Sequence, residues 1–166
     1  IGMVAVEWAA DSGVPVVVAY SAPEDITMRH ATESVVRAGW TGAQPMFALG
    51  EYAAQQGWKN IVMVGQDYAF PHNQIGGFLK TFCRAGGESV EKIWHPLGTD
   101  DFSSILATLP DGDALMYNGA GSDGVSFFRQ LEEFGMRDEK PLLGGSNFFA
   151  IGSLPAMGDS VVGGIS

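Results

Sequence analysis

Three observations predict an α/β chain folded as a doubly wound parallel sheet. Short apolar runs rich in β-branched residues alternate with longer helical patterns. The connections between them are short and punctuated by Gly or Pro. The run at 61–64, Ile-Val-Met-Val between Asn60 and Gly65, is continuously apolar, as a strand covered on both faces requires. With 166 residues, 46% hydrophobic and 17% charged, the chain is long enough for one globular domain, or one with part of a second.

The chain opens in a helical pattern, residues 1–10, with no Ser, Thr, Asp or Asn ahead of it to cap the helix. Val16-Val17-Val18-Ala19 then reads as a buried strand, followed by an irregular stretch over residues 20–43 that holds Pro23, Gly39 and Gly42. A helix is expected over residues 44–56, with Phe47, Leu49, Tyr52 and Ala53 on its apolar face and Gly57 as its stop. The strand at 61–64 leads to a helix over 74–85, closed by Gly86-Gly87, and a strand over 90–94. A short helix at 102–109, a strand at 114–117 and a helix at 125–134 follow, the last with Phe127, Phe128, Leu131 and Phe134 inward. The strand Leu142-Leu143, a weak helix near 150–156 and a strand-like run over 161–166 finish the chain. Because natural domains begin and end in loops, these two ends predict a fragment of a longer protein.

Composition excludes several classes of function. Nine Lys and Arg against nineteen Asp and Glu give a net charge of -10, which leaves no basic surface for nucleic acid. The single cysteine, Cys83, excludes an internal disulfide framework and a CxxC metal knuckle; beside Phe82 in a helix it reads as a buried, inert thiol. No apolar run approaches the ~18–20 residues that span a bilayer. No basic segment opens the chain, so a secretion signal is absent or already removed. His30, His72 and His95 have no metal-ligand spacing and fall in different expected loops. No GxSxG elbow exists, since Gly144-Gly145-Ser146-Asn147-Phe148 lacks the second glycine. Asp100-Asp101 ahead of residue 102 reads as a helix cap and Lys59 as structural. These readings name no catalytic residue, metal or cofactor.

In a doubly wound sheet, ligands bind where turns leave the carboxyl ends of the strands. Here those turns are 20–22, 66–70, 118–121 and 145–148, nearly all small polar or aromatic residues. Tyr20, Tyr68, Phe70 and Phe148 each follow a strand, where a ring lines a cleft more easily than it fills a core. Residues 119–124 also form a GxGxxG pattern after a strand and before a helix, the signature of a dinucleotide site. Yet the acids Asp138 and Glu139 precede the next strand rather than follow it, and Asp123 brings negative charge towards a bound pyrophosphate. An NAD(P)-binding enzyme domain therefore stands as the alternative.

An ordered set of short motifs gives a sharper reading. Phe47-Ala48-Leu49-Gly50-Glu51-Tyr52-Ala53 is followed by Gly57-Trp58-Lys59-Asn60-Ile61-Val62. Then come Gly65-Gln66-Asp67-Tyr68-Ala69-Phe70, the run at 94–103 with Trp94-His95-Pro96-Leu97-Gly98, Asp113-Ala114-Leu115, and Leu154-Pro155-Ala156-Met157-Gly158-Asp159. Together they resemble the type I periplasmic binding proteins of the branched-chain amino-acid (Leu/Ile/Val-binding) family, the solute receptors of ABC importers.

The resemblance implies a two-lobed receptor with Rossmann-like lobes that close on a small ligand. Residues 1–36 would be a remnant of the first lobe with a hinge crossing, 37–160 the second lobe, and 161–166 the start of the next crossing. It implies ligand-binding roles for Tyr20, Ser21 and Ala22 in the first lobe. In the second lobe it implies them for Tyr68, Phe70, Asn118, Gly119, Ala120, Ser146, Asn147 and Phe148. The ligand would be an amino acid or a small aromatic or aliphatic carboxylate, the partner a membrane ABC permease, and the location periplasmic or otherwise extracytoplasmic. A sensory module of the same fold is a further alternative. Two departures bear on the ligand. Pro71 replaces the glycine of the family's D-Y-A-F-G turn, and Ser146 stands where amino-acid binders carry an acid for the ligand ammonium.

Overall fold

A computed structural model describes residues 2–148 and 150–166; Ile1, expected in the first helix, lies outside them. In chain order the elements are α1 (Gly2–Ser12), β1 (Val16–Val18), a 3₁₀ turn (Glu24–Thr27), β2 (Val35–Arg37), α2 (Gln44–Gln55) and β3 (Asn60–Gln66). They continue with α3 (Ala69–Arg84), β4 (Ser89–His95), α4 (Ser103–Leu106), β5 (Ala114–Asn118), α5 (Ser122–Glu133), β6 (Leu142–Gly144), α6 (Leu154–Met157) and a 3₁₀ turn (Gly158–Val161). β1 and β2 pair in parallel as a small sheet of their own, and the other strands form a parallel sheet in the order β4-β3-β5-β6. That order reverses between β3 and β5, which is where a doubly wound sheet opens a crevice at the strands' carboxyl ends.

Strand alternation sorts the core into two layers, one on each face of the larger sheet. Ile61, Met63, Ala114, Met116 and Leu143 turn towards α2 and α3, meeting Met46, Leu49, Phe78 and Phe82. Val62, Val64, Leu115, Tyr117 and Leu142 turn the other way, onto Phe102 just ahead of α4, Leu106 of α4, and Phe127, Phe128 and Leu131 of α5. Helices α2 and α3 meet closely because a Cβ on Gly77 would stand 2.3 Å from the Ala43 carbonyl oxygen, a contact that only glycine avoids. Residues 2–37 carry a smaller core of Val6, Val18 and Ile26.

The structure corrects several expectations. Helix α3 begins at Ala69 rather than residue 74, since Pro71 falls in its first turn, where a missing N–H costs nothing. Within the stretch read as irregular, Val35–Arg37 forms β2 against β1. The final strand reduces to one parallel bridge, Ile165 to Leu143, because a 3₁₀ turn occupies Gly158–Val161. Phe134 is exposed: it is the C-cap of α5, past the buried stripe that ends at Leu131. Cys83 is exposed too, on the face of α3 turned away from its buried neighbour Phe82. His72 lies within α3 and His95 is buried at the end of β4, so neither is in a loop.

Candidate functional site

Between the small first unit and the carboxyl edge of the larger sheet lies an open cleft of about 400 Å³. One wall is the turn after β1, Tyr20, Ser21, Ala22 and Pro23, with Gly2 and Met3 of α1 beside it. The facing wall is Tyr68, Ala69 and Phe70 at the start of α3, together with Asn147 from the turn after β6. Trp40, in the connection from β2 to α2, joins the two. Rings form a continuous strip across the cleft: Tyr20 meets Trp40 edge-on at 6.1 Å, Trp40 meets Phe70 at 6.2 Å, and Phe70 meets Tyr68 at 6.3 Å. Tyr20 is exposed and Trp40 and Tyr68 are half-exposed there, while the buried Phe70 ring backs them, giving apolar faces for a planar guest.

Polar donors stand at one end of this strip. Among the described residues, no hydrogen bond uses the Ser21 N–H, the Ser21 hydroxyl or the Ala22 N–H, although the Ala22 carbonyl accepts the Gly42 N–H at 2.8 Å. Among the described residues, no Asp or Glu lines the cleft. Burial beside the cleft raises the Tyr68 hydroxyl above the ordinary tyrosine pKa, and the negative charge of Asp123 adds to the shift.

The structure therefore brings Tyr20, Ser21, Ala22, Tyr68, Phe70 and Asn147 to the cleft wall. Trp40 escaped the sequence reading because residues 38–43 show no periodicity; an aromatic between Gly39 and Gly42 was the available signal.

The other candidates sit differently. Asn118 is fully buried, its Nδ2 donating to the Pro71 carbonyl at 3.3 Å while its Oδ1 has no partner among the described residues. The turn after it is shut by Gln66, whose Nε2 donates to the Ala120 carbonyl at 3.2 Å and whose Oε1 accepts the Ala120 N–H at 3.2 Å. Gly119 is buried against the Tyr117 hydroxyl, so Asn118, Gly119 and Ala120 do not reach the cleft wall. Ser146 is half-buried and accepts a hydrogen bond of 2.5 Å from Nε2 of the buried Gln74.

Phe148 is the clear correction. Its ring is 1% exposed and packs edge-on at 5.0 Å against Phe128, within the α5 side of the core. The turn folds the ring back over Gly144, where any Cβ would collide with it at 2.0 Å.

The GxGxxG segment is filled from within. Asp123, at the start of α5, accepts the Gly98 N–H at 2.8 Å and the Ser122 hydroxyl at 3.2 Å. Burial pushes its carboxyl upward, but hydrogen bonds from Gln66, Gly98 and Ser122 outweigh that and hold it below the ordinary carboxylate range. A carboxylate in the first turn of α5 thus puts negative charge beside the place a bound pyrophosphate would need to occupy. Two other hollows, about 150 Å³ beside Asp111 and Lys140 and about 570 Å³ along β4 and α4, offer no comparable meeting of rings and spare donors. Among the described residues, no group of three His, Cys, Asp or Glu side chains is placed to hold a metal.

A Leu/Ile/Val-binding protein homolog from Brucella melitensis is 30% identical over 159 residues, covering 90% of this chain and 39% of its own length. A solute-binding protein of an ABC transporter from Rhodopseudomonas palustris, solved with 3,4-dihydroxybenzoic acid, is 29% identical with a TM-score of 0.86, over 98% of this chain and 45% of that one. Another from R. palustris, solved with benzoate, is 26% identical with a TM-score of 0.84, over 95% and 44%. The chain thus spans less than half the length of each of these relatives. The sequence profile of the periplasmic binding protein family matches residues 1–166, and the chain belongs to that family.

Proposed function

We propose that this chain is part of an extracytoplasmic solute receptor serving an ABC importer, and that its ligand is a small aromatic carboxylate. In this reading residues 1–36 are a remnant of the first lobe with a hinge crossing, 37–160 the second lobe, and 161–166 the start of another crossing. It performs no catalysis. The observation that carries the reading is the strip Tyr20–Trp40–Phe70–Tyr68, which ends beside the N–H groups of Ser21 and Ala22 and the Ser21 hydroxyl, donors with no acceptor among the described residues. A planar ring stacks on the strip while its carboxylate takes the donors. The two R. palustris relatives, solved with benzoate and with 3,4-dihydroxybenzoic acid, support that ligand class. Hinge closure around the ligand would be the two-state change that a membrane permease reads.

A branched-chain amino acid, suggested by the naming of the Brucella relative, is the second reading. It is disfavoured because an ammonium in the cleft would find no carboxylate partner among the described residues that line it. A thermal-shift and calorimetric screen of the full-length gene product separates the readings. Benzoate and its hydroxylated analogues are expected to raise Tm, since ligand at a hundred times Kd adds about 2.7 kcal/mol of stability. Stabilisation by leucine or by NAD(P), with benzoates inert, would overturn the assignment.

A further inference from the structure

Arg37, the last residue of β2, stands behind the cleft wall with no carboxylate in ion-pair contact among the described residues. Burial pulls its pKa below the ordinary arginine value, and the charge of Glu24 partly counters that; the guanidinium stays charged. Its donors go to backbone instead. Nη1 reaches the Ser21 carbonyl at 2.7 Å and the Trp40 carbonyl at 3.3 Å, and Nη2 reaches the Pro23 carbonyl at 2.5 Å. Nε is held by the Thr27 hydroxyl at 3.2 Å.

Among the described residues every peptide bond is trans, so the N–H of each gripped peptide group points away from the guanidinium. The Pro23 carbonyl shares its peptide with the Glu24 N–H, which donates to Asn73 Oδ1 on α3 at 2.9 Å. The Trp40 carbonyl shares its peptide with the Thr41 N–H, which donates to Gln44 Oε1 at the start of α2 at 2.8 Å. The Ser21 carbonyl shares its peptide with the Ala22 N–H. That N–H alone has no acceptor among the described residues, though Ala22 is only 4% exposed and lies on the cleft wall. A buried N–H of this kind calls for a partner.

We propose that Arg37 is the positioning residue that makes this turn an anion site: it fixes the Ser21–Ala22 peptide, polarises its N–H towards the cleft, and ties it to the bonds that reach α2 and α3. The inference rests on the receptor reading above for the identity of the acceptor, a ligand carboxylate.

Calorimetry on the full-length gene product tests it with benzoate and its neutral isostere benzamide. Arg37→Gln is expected to weaken benzoate about tenfold or more and benzamide less than about threefold, with Arg37→Lys between wild type and Arg37→Gln. Equal losses for both probes, or none, overturn the proposal, because a merely structural residue does not discriminate charge. If Arg37→Gln fails to fold, Thr27→Val frees one side of the guanidinium and is expected to weaken benzoate about two- to threefold with benzamide unchanged; an equal loss of both overturns it. A wild type that binds no benzoate sinks the ligand class rather than the role of Arg37. The amide proton shift of Ala22 then decides: an upfield move in Arg37→Gln supports polarisation, and an unmoved resonance overturns it.

Discussion

Two turns leave the same edge of the same sheet, one after β3 and one after β5, on either side of the point where strand order reverses. They have opposite fates. After β3, Tyr68 is the N-cap of α3 with extended backbone (φ -156°), and its ring stands in the cleft beside Phe70. After β5, the Gln66 amide pairs both backbone groups of Ala120, and the Asp123 carboxylate in the first turn of α5 is spent on the Gly98 N–H. A turn rich in glycine is thus not open by virtue of its glycines. Neighbouring side chains that satisfy its N–H and carbonyl groups withdraw it from any ligand. On the first unit, the Ser21 and Ala22 N–H groups and the Ser21 hydroxyl have no acceptor among the described residues and stand at the cleft wall.

The strongest way to break this contrast is to unlock the sealed turn. Gln66 is 3% exposed and satisfies both backbone groups of Ala120. Gln66→Leu leaves them unpaired and is expected to cost about 2–3 kcal/mol, read from the urea midpoint. A loss under about 0.5 kcal/mol would mean that the turn is held by its own geometry and that the clasp is incidental.

The open turn should behave in the reverse manner. Tyr68→Ala is expected to lower affinity for benzoate about tenfold while changing stability by less than about 1 kcal/mol, the range for losing a ring contact that is not part of a core. Calorimetry beside urea unfolding checks both. A stability loss as large as that of Gln66→Leu, with affinity retained, would reverse the roles of the two turns.

The same contrast explains what the sequence disclosed. The sheet and its helices were legible because 61–64 and 114–117 are apolar at every position, bounded by turn residues, and so must be covered on both faces. Three-residue β2 was not, because two valines and an arginine carry no period. Tyr68 and Phe148 looked alike, each an aromatic just past a strand. What separates them is the pair of glycines before Phe148, which lets the chain fold the ring back under β6, against the helix start that turns Tyr68 outward. Asn118 and Gly119 belong to the right edge, but their closure depends on Gln66, some fifty residues away, and on Asp123 reaching Gly98. Arg37 and Trp40 act through the backbone and through rings brought in from other segments, which periodicity does not register.

The smallest expected effect concerns the residue that touches both turns. The His95 carbonyl accepts the Asp67 N–H at 2.8 Å, opening the first turn, while its Nε2 lies 3.4 Å from the Tyr117 hydroxyl, just before the second. Burial lowers the pKa of His95 below its ordinary 6.5, against opposing contributions from the Pro96 carbonyl and the charge of Asp123. Phe102 covers the ring edge-on at 4.8 Å. A histidine whose folded pKa is depressed stays neutral in the native state but is free to protonate in the unfolded one. Its contribution to stability is therefore complete above 6.5 and is lost as pH falls through and below that value. The urea midpoint of wild type should drop between about pH 8 and about pH 5.5 by more than that of His95→Asn, which keeps a donor for the Pro96 carbonyl. Equal drops would show that His95 protonates as readily in the fold as outside it.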